Sequence, residues 1–303
     1  MAASSDTAAM EVAKAACDGA SAKSADRSLT AIPTLIYVIM QAGTLLVFVV
    51  GVSTADVLLC AASFFIRIWA ITGVYHRYFS HRTYRTSRVM QFLLAFLGTT
   101  AVQKGPLWWA SIHRIHHSES DRPDDPHSPR RSFWYAHQGW VFDPRWARTR
   151  TELIRDLMKY PELVWLNQWH IVGPITWGVL CFLIGGWSGL VWGFLVSTTI
   201  TWHATYTINS LAHRIGRKRF DTGDDSKNSL ILALLTLGEG WHNNHHYHPS
   251  CTRQGFYWWE IDITYYVLRG LQATGLIWDI KEPPARAYRD AATASDEGRR
   301  LAA

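Results

Sequence analysis

Fourteen histidines in 303 residues are the chemistry-bearing feature of this chain, and eight of them fall in three tight groups. His76 and His81 bracket HRYFSH, His113, His116 and His117 lie in HRIHH, and His242, His245 and His246 lie in HNNHH. On a helix, residues three and four apart share a face. His113 can therefore act with His116 or His117, and His242 with His245 or His246. Sequence neighbours point about 100° apart at roughly 3.6 residues per turn. One ion is not easily held by both members of the pair 116/117 or 245/246, whereas two adjacent ions are. His76 and His81, five apart, do not share a face of a straight α-helix. Either the helix ends there or the two approach from different sides. Imidazole suits Zn, Cu, Fe and Ni. A structural zinc needs only four ligands, so redox-active iron with positions open for oxygen is the better match. The four cysteines are far apart and form no CxxC pair, which excludes a thiolate site and a disulfide framework.

The elements that carry these groups are apolar. Residues 33–51 are uncharged and about 28 Å long as a helix, close to the roughly 30 Å of a hydrocarbon core. Residues 55–74 form a second run with one interior charge, Arg67, and 171–186 and 187–207 form a third and a fourth. Two shorter runs, 89–102 and 230–237, read as interfacial or half-buried helices. Each histidine group follows an apolar run, so all three can converge at one membrane surface. Of the 30 Lys and Arg, three precede residue 33, 14 lie between 75 and 170, and 12 follow 209. The turns near 51–55 and 185–189 carry none. The positive-inside rule then puts both termini and the long middle loop in the cytoplasm. The expected fold is an all-α membrane protein, with four transmembrane helices in two hairpins and a cytoplasmic helical cap around the histidines. Residues 1–28 read as a disordered tail without a signal peptide, 29–280 as the membrane domain, and 281–303 as a polar tail.

Net charge is +6. The basic residues follow topology, and no basic helix with base-reading side chains stands out, so nucleic acid is excluded as a partner. The singletons His127, His137, His170, His203 and His248 read as packed or solvated side chains.

The three groups, in this order and after helical hairpins, resemble the histidine boxes of the membrane fatty-acyl desaturases, most closely the acyl-CoA delta-9 (stearoyl-CoA desaturase-like) branch. The resemblance covers roughly residues 30–280 and extends to DPHSPRRSFWYAHQGW (125–140), NSLAH (209–213) and GEGWHNNHH (238–246). It implies a di-iron centre held by His76, His81, His113, His116, His117, His213, His242, His245 and His246, with Asn209 bonded through water. It also implies an acyl tunnel bent beside the metals by Gln103, Trp109 and Thr205. Two stretches depart from the vertebrate-type pattern, 104–108 (KGPLW) and 141–145 (VFDPR). Both would contact the head group, so acyl carrier protein or a membrane lipid stands as the alternative to CoA. Arg130, Arg131 and Arg145 are candidates for its phosphates by charge, or else juxtamembrane charge for anionic lipid. Phe64 and Ile68, four apart before the first box, are the expected end wall of the tunnel.

The implied reaction is O₂-dependent removal of two hydrogens from an unactivated acyl chain. General acid–base catalysis has nothing to act on there, so a cofactor must carry the chemistry. The chain contains no haem-binding cytochrome b5 motif, so electrons must come from a separate donor, cytochrome b5 or a ferredoxin-like protein with its reductase. A lipid or alkane hydroxylase of the same superfamily is the main rival. A histidine-rich transporter would place ligands near the midplane, and a zinc hydrolase would carry HExxH. The expected location is a bacterial inner membrane.

Overall fold

The computed structural model describes residues 34–290, so the tail 1–28 lies outside the described residues. The chain is mostly helical, and four apolar helical segments pair as two hairpins. Helix α1 (Thr34–Val50) and helix α2 (Thr54–Ser80) meet at Gly51, whose φ of +73° suits glycine. Ser53 caps α2: its hydroxyl accepts from the Asp56 amide and the Asp56 carboxylate accepts from the Ser53 amide. The run Val172–Leu211 breaks at Gly185 (φ −133°, ψ 16°) and Gly186 (φ 59°, ψ −144°). It is thus two arms, α7 (172–184) and α8 (187–211), folded back on each other. A Cβ on Gly189 would stand 2.3 Å from the Cys181 carbonyl oxygen, and one on Gly193 would stand 2.9 Å from the Cys181 sulfur. Small residues that let backbones meet are the usual device for helix pairs in lipid.

The two hairpin tips are tied together. Ser188 donates to Asp56 at 2.6 Å and the Trp192 indole donates to the Gly51 carbonyl at 2.8 Å. The outer faces are apolar, with Phe48 and Leu183 among the most exposed. By length and composition, Thr54–Ser80 and Val172–Leu211 pass for membrane spans. Helix α1 is shorter, and α7 rises only about 20 Å at 1.5 Å per residue.

Arg67, near the middle of α2, is fully buried. It donates to Thr198 at 2.5 Å, to the Thr100 carbonyl at 3.3 Å and to the Ser63 carbonyl at 3.2 Å, and also to Ser197. A buried guanidinium each of whose nitrogens has an acceptor is tolerable where an unmet one is not.

The cap comprises α3 (Arg88–Thr99), α4 (Pro106–Glu119), α5 (Phe133–His137), α6 (Pro161–Gln168), α9 (Leu230–Leu235), α10 (His242–Tyr247) and α11 (Ile263–Ala273). Helices α3 and α9 are half-buried: Val89, Leu93, Ile231 and Leu234 are exposed, and Leu94, Ala95, Leu232 and Ala233 are buried. A two-residue antiparallel pair, β1 (Arg85–Thr86) with β2 (Ile277–Trp278), closes the loop after the first histidine group. The main core joins α2, α3, α4, α6 and α11 through Val74, Leu94, Leu107, Leu163 and Leu268. The C-terminal segment departs from the expected tail. Residues 285–290 are helical, Ala287 is buried, and Tyr288 packs on Phe256.

Candidate metal centre

Helix α2 widens after Trp69, and Ala70–Ser80 is π-helical. An α-helix would turn positions 76 and 81 about 140° apart. The wider turn of a π-helix, with its i→i+5 bonds, brings them closer to one face, and their ring centres lie 5.0 Å apart. The helix does end there, at Ser80, but the wider winding is what brings the two rings together.

The nine predicted imidazoles form two sets. His76, His81, His113, His117 and His245 converge in one, and His116, His213, His242 and His246 in the other, with ligand atoms within 4.8 Å of one another in each. The neighbours 116/117 and 245/246 divide between the sets, as their angular separation requires. In the first set, Nε2 of His245 is 2.9 Å from Nε2 of both His76 and His117, and Nε2 of His113 is 2.9 Å from that of His81. In the second, Nε2 of His242 is 3.1 Å from that of His213, and Nε2 of His116 is 3.4 Å from that of His246. Nitrogens about 2.0–2.1 Å from an ion define polyhedron edges of roughly 2.9 Å when octahedral and roughly 3.4 Å when tetrahedral. The observed separations span that range.

The opposite ring nitrogens explain why these contacts need a cation. Nδ1 of His116 faces Asp125 at 3.0 Å, that of His213 faces Asp121 at 2.8 Å, and that of His246 faces Asp224 at 2.6 Å. Nδ1 of His76 pairs with Glu239. A ring that donates from Nδ1 presents a bare lone pair at Nε2. Such lone pairs converging at hydrogen-bond distance repel unless a metal lies between them. Charge points the same way. Asp121, Asp125, Asp224, Glu239 and Asp262 are buried beside the sets. Among the described lysines and arginines, Arg77 is the one that pairs with any of them, reaching Glu239 at 3.0 Å and Asp262 at 2.9 Å. Five carboxylates against one guanidinium leave four negative charges, which two divalent ions would balance. The donors present fit a pair of metal ions.

Proton affinities agree. Burial, with the charge of neighbouring imidazoles, pushes His81, His113, His117, His242 and His245 well below the usual histidine range, and His246 falls to about 4 despite Asp224. His116 is the exception: burial opposes its charge, but Asp125 raises it overall. Burial alone would raise the carboxyls of Asp125 and Asp224, yet His116 and His246 beside them bring both below the usual range.

The remaining predicted residues divide. Asn209 lines the apolar cavity that touches both sets, together with Gln103, Trp109, Thr205 and Ile68. Gln103 donates to Thr205 at 2.9 Å and accepts from the Trp109 indole at 3.2 Å. Its flanks Val102 and Lys104 both hold left-handed backbone, with φ of 59° and 61°, the strain that surrounding contacts must maintain at such a bend. A second apolar cavity shares Gln103, Trp108, Trp109, Trp140 and Tyr206 with the first and continues it toward Tyr37 and Ile171. Phe64 is not among the lining residues; it packs on the core instead. Arg130 pairs with Asp225 at 2.7 Å, and Arg131 and Arg145 share Asp143 at 3.4 and 2.8 Å.

Sequence reasoning missed the carboxylates that orient the imidazoles. Asp121 and Asp125 in the DRPDD after the second group, and Glu239 three residues before the third, were its available signals. It also left His127 as an ordinary side chain. That ring lies 4.3 Å from His116 and lines the cavity, and burial beside His116 pushes it down to about 3.

Comparison with known proteins follows this geometry. The family described as fatty acid desaturase matches residues 52–279. The chain is 38% identical over 225 residues to an acyl-CoA 5-desaturase from Anemone leveillei, covering 71% of this chain and 70% of that one. It is 38% identical over 213 residues to an sn-1 stearoyl-lipid 9-desaturase from Anabaena variabilis, covering 70% and 78%. A delta-9 acyl-lipid desaturase from Arabidopsis thaliana is 38% identical over 219 residues, covering 70% and 71%.

Proposed function

This chain belongs to the fatty acid desaturase family, and we propose that it introduces a delta-9 double bond into a saturated acyl-CoA using two irons held by its two imidazole sets. It is a membrane-associated fatty-acyl desaturase, of a family that generally needs an electron donor. The observation that carries the iron reading is the convergence of Nε2 lone pairs backed by Nδ1–carboxylate pairs. When bound, the irons supply the O₂-dependent oxidation that removes hydrogen from two adjacent methylenes.

The chain's own residues do the rest. His76, His81, His113, His117 and His245 are the ligands of one ion, and His116, His213, His242 and His246 of the other, with Asn209 bonding through water. Asp121, Asp125, Asp224 and Glu239 fix the imidazoles' tautomers and aim. Gln103, Trp109 and Thr205 bend the acyl chain past the metals. Ile68 closes the end of its path, and the apolar lining keeps bulk water from the reacting carbons. The proposed topology is four spans, with the metal centre and both termini facing the cytoplasm of a bacterial inner membrane. The proposed donor is cytochrome b5 or a ferredoxin-like protein with its reductase.

One observation favours a second reading of the carrier. Two relatives at 38% identity are named for acyl-lipid substrates, which favours a membrane lipid as the carrier; acyl carrier protein is the remaining alternative. Fatty-acid profiling by gas chromatography, after expression in a desaturase-deficient host, tests the function. The expected product is two hydrogens lighter than its precursor. A product that gains oxygen would establish a hydroxylase instead. Purified enzyme supplied separately with acyl-CoA, acyl carrier protein thioester and phospholipid esters distinguishes the carriers.

A further inference from the structure

Next to His81 in sequence begins a different kind of cavity, of about 290 Å³, lined in part by Tyr78, Arg82, Arg85, Arg88, Gln91 and Trp278. None of its lining residues belongs to the two apolar cavities. We propose that it binds the phosphate of an anionic phospholipid. This rests on the membrane association stated above, and it concerns a site apart from the acyl path.

Three guanidiniums reach the cavity, Arg82 and Arg85 from the segment between His81 and α3 and Arg88 from the first residue of α3. Arg85 pairs with Asp279 at 3.3 Å and Arg88 with Glu162 at 2.7 Å, at the surface in both cases. Arg82 is different. Its guanidinium stacks 4.7 Å over the Tyr78 ring, and its Nη1 is shielded from solvent with no hydrogen-bond partner. An unmet charged donor of this kind is costly unless a ligand supplies the acceptor. The left-handed backbone of Arg82, with φ of 53°, holds the side chain there. Guanidiniums suit phosphate oxygens because their donors are forked and permanently charged.

The surroundings point to a lipid as the source of that phosphate. Arg88 opens α3, whose next outward residues, Val89 and Leu93, are 73% and 52% exposed. Trp278, paired with Arg85 across the short sheet, is 42% exposed, and Tyr160 lines the same cavity. A charged pocket above an apolar helix face, with aromatic rings between, is the profile of a headgroup at the bilayer interface.

The test is lipid retention by the full chain, which requires neither iron nor turnover. Protein in detergent is titrated with short-chain phosphatidylglycerol, phosphatidylcholine or inorganic phosphate, and bound ligand is counted by native mass spectrometry. Phosphatidylglycerol should bind in preference to phosphatidylcholine, and the surface pair R85Q/R88Q should weaken it more than about tenfold, from about fivefold per removed charge. R82K should weaken it while leaving the fold intact by circular dichroism, and R269Q/K218Q should leave it unchanged. Equal retention of the two lipids, or full retention by R85Q/R88Q, overturns the proposal. Displacement of the lipid by millimolar inorganic phosphate would make the site one for a soluble anion and overturn the lipid assignment. If R85Q/R88Q instead slows reduction by an acidic electron-transfer protein while lipid retention is unchanged, the surface docks a protein and the proposal fails.

Discussion

His116 and His246 aim their Nε2 atoms at each other across 3.4 Å while each Nδ1 faces a buried carboxylate, Asp125 for one and Asp224 for the other. Two acceptors held face to face store repulsion that a cation removes. Metal should therefore stabilise the fold as well as supply chemistry, since a ligand that binds only the native state raises its stability by mass action. Reconstituted protein should hold two irons per chain by elemental analysis and melt higher than chelator-treated protein. A metal-free sample that melts no lower would sink the reading.

Asp125→Asn tests the orienting carboxylates. The amide keeps the shape but loses the charge that fixes His116. Loss of such a partner commonly costs 10–100-fold in metal affinity or activity. We expect a fall of that order in iron retention during dialysis against a chelator, with secondary structure preserved by circular dichroism.

The metal-free protein should lose stability in acid within a defined window. His246 titrates near 4 in the fold, against about 6.5 in an unfolded chain. Above about pH 6.5 it is neutral in both states, and its contribution to stability is complete. As pH falls from there, the unfolded chain takes up the proton first, so stability is lost progressively toward about pH 4. His127, near 3 for the same reason, extends the loss further. Melting temperatures of chelated protein should be nearly level from pH 7.5 to about 6.5 and fall continuously from there to pH 4.5. A flat profile would contradict the burial of these rings.

The histidine groups disclosed much of this site in advance, because the helical repeat alone divides His116 from His117 and His245 from His246. The alignment of His76 with His81 was not legible, since a π-helix leaves no mark in a five-residue spacing. The orienting carboxylates were hidden for another reason. Asp121, Asp125 and Asp224 sit in polar loops that resemble ordinary solvated turns until folding buries them. Likewise Gly185–Gly186 marks where the second hairpin turns, whereas only the packed hairpin reveals that Gly189 must admit the Cys181 carbonyl. Phe64 lies outside the cavity lining, a separation from Ile68 that helical spacing does not disclose, since it shows which residues share a face and not how deep along that face a cavity reaches.

Gln103→Ala removes both the bond to Thr205 and the acceptor for Trp109. Leaving buried polar partners unmet costs about 1–3 kcal/mol, and here it also frees the bend of the acyl path. Turnover should fall about tenfold or more, with a broader set of double-bond positions in the fatty-acid profile. Unchanged turnover with a single product would show that this contact does not shape the path.

Chain length should respond to Ile68 and not to Phe64. Ile68 is 1% exposed and lines the cavity, whereas Phe64 packs on the core outside the lining. Ile68→Ala removes bulk from the closed end, so longer acyl chains should be accepted; the lost packing should cost up to about 2–5 kcal/mol and lower the melting temperature. Phe64→Ala should also lower the melting temperature, but leave the length profile where it was. The two variants thus separate a wall of the acyl path from a residue that merely supports the fold. Equal shifts in both profiles would mean that the end of the path lies deeper along α2 than Ile68, and no shift in either would place it on another helix.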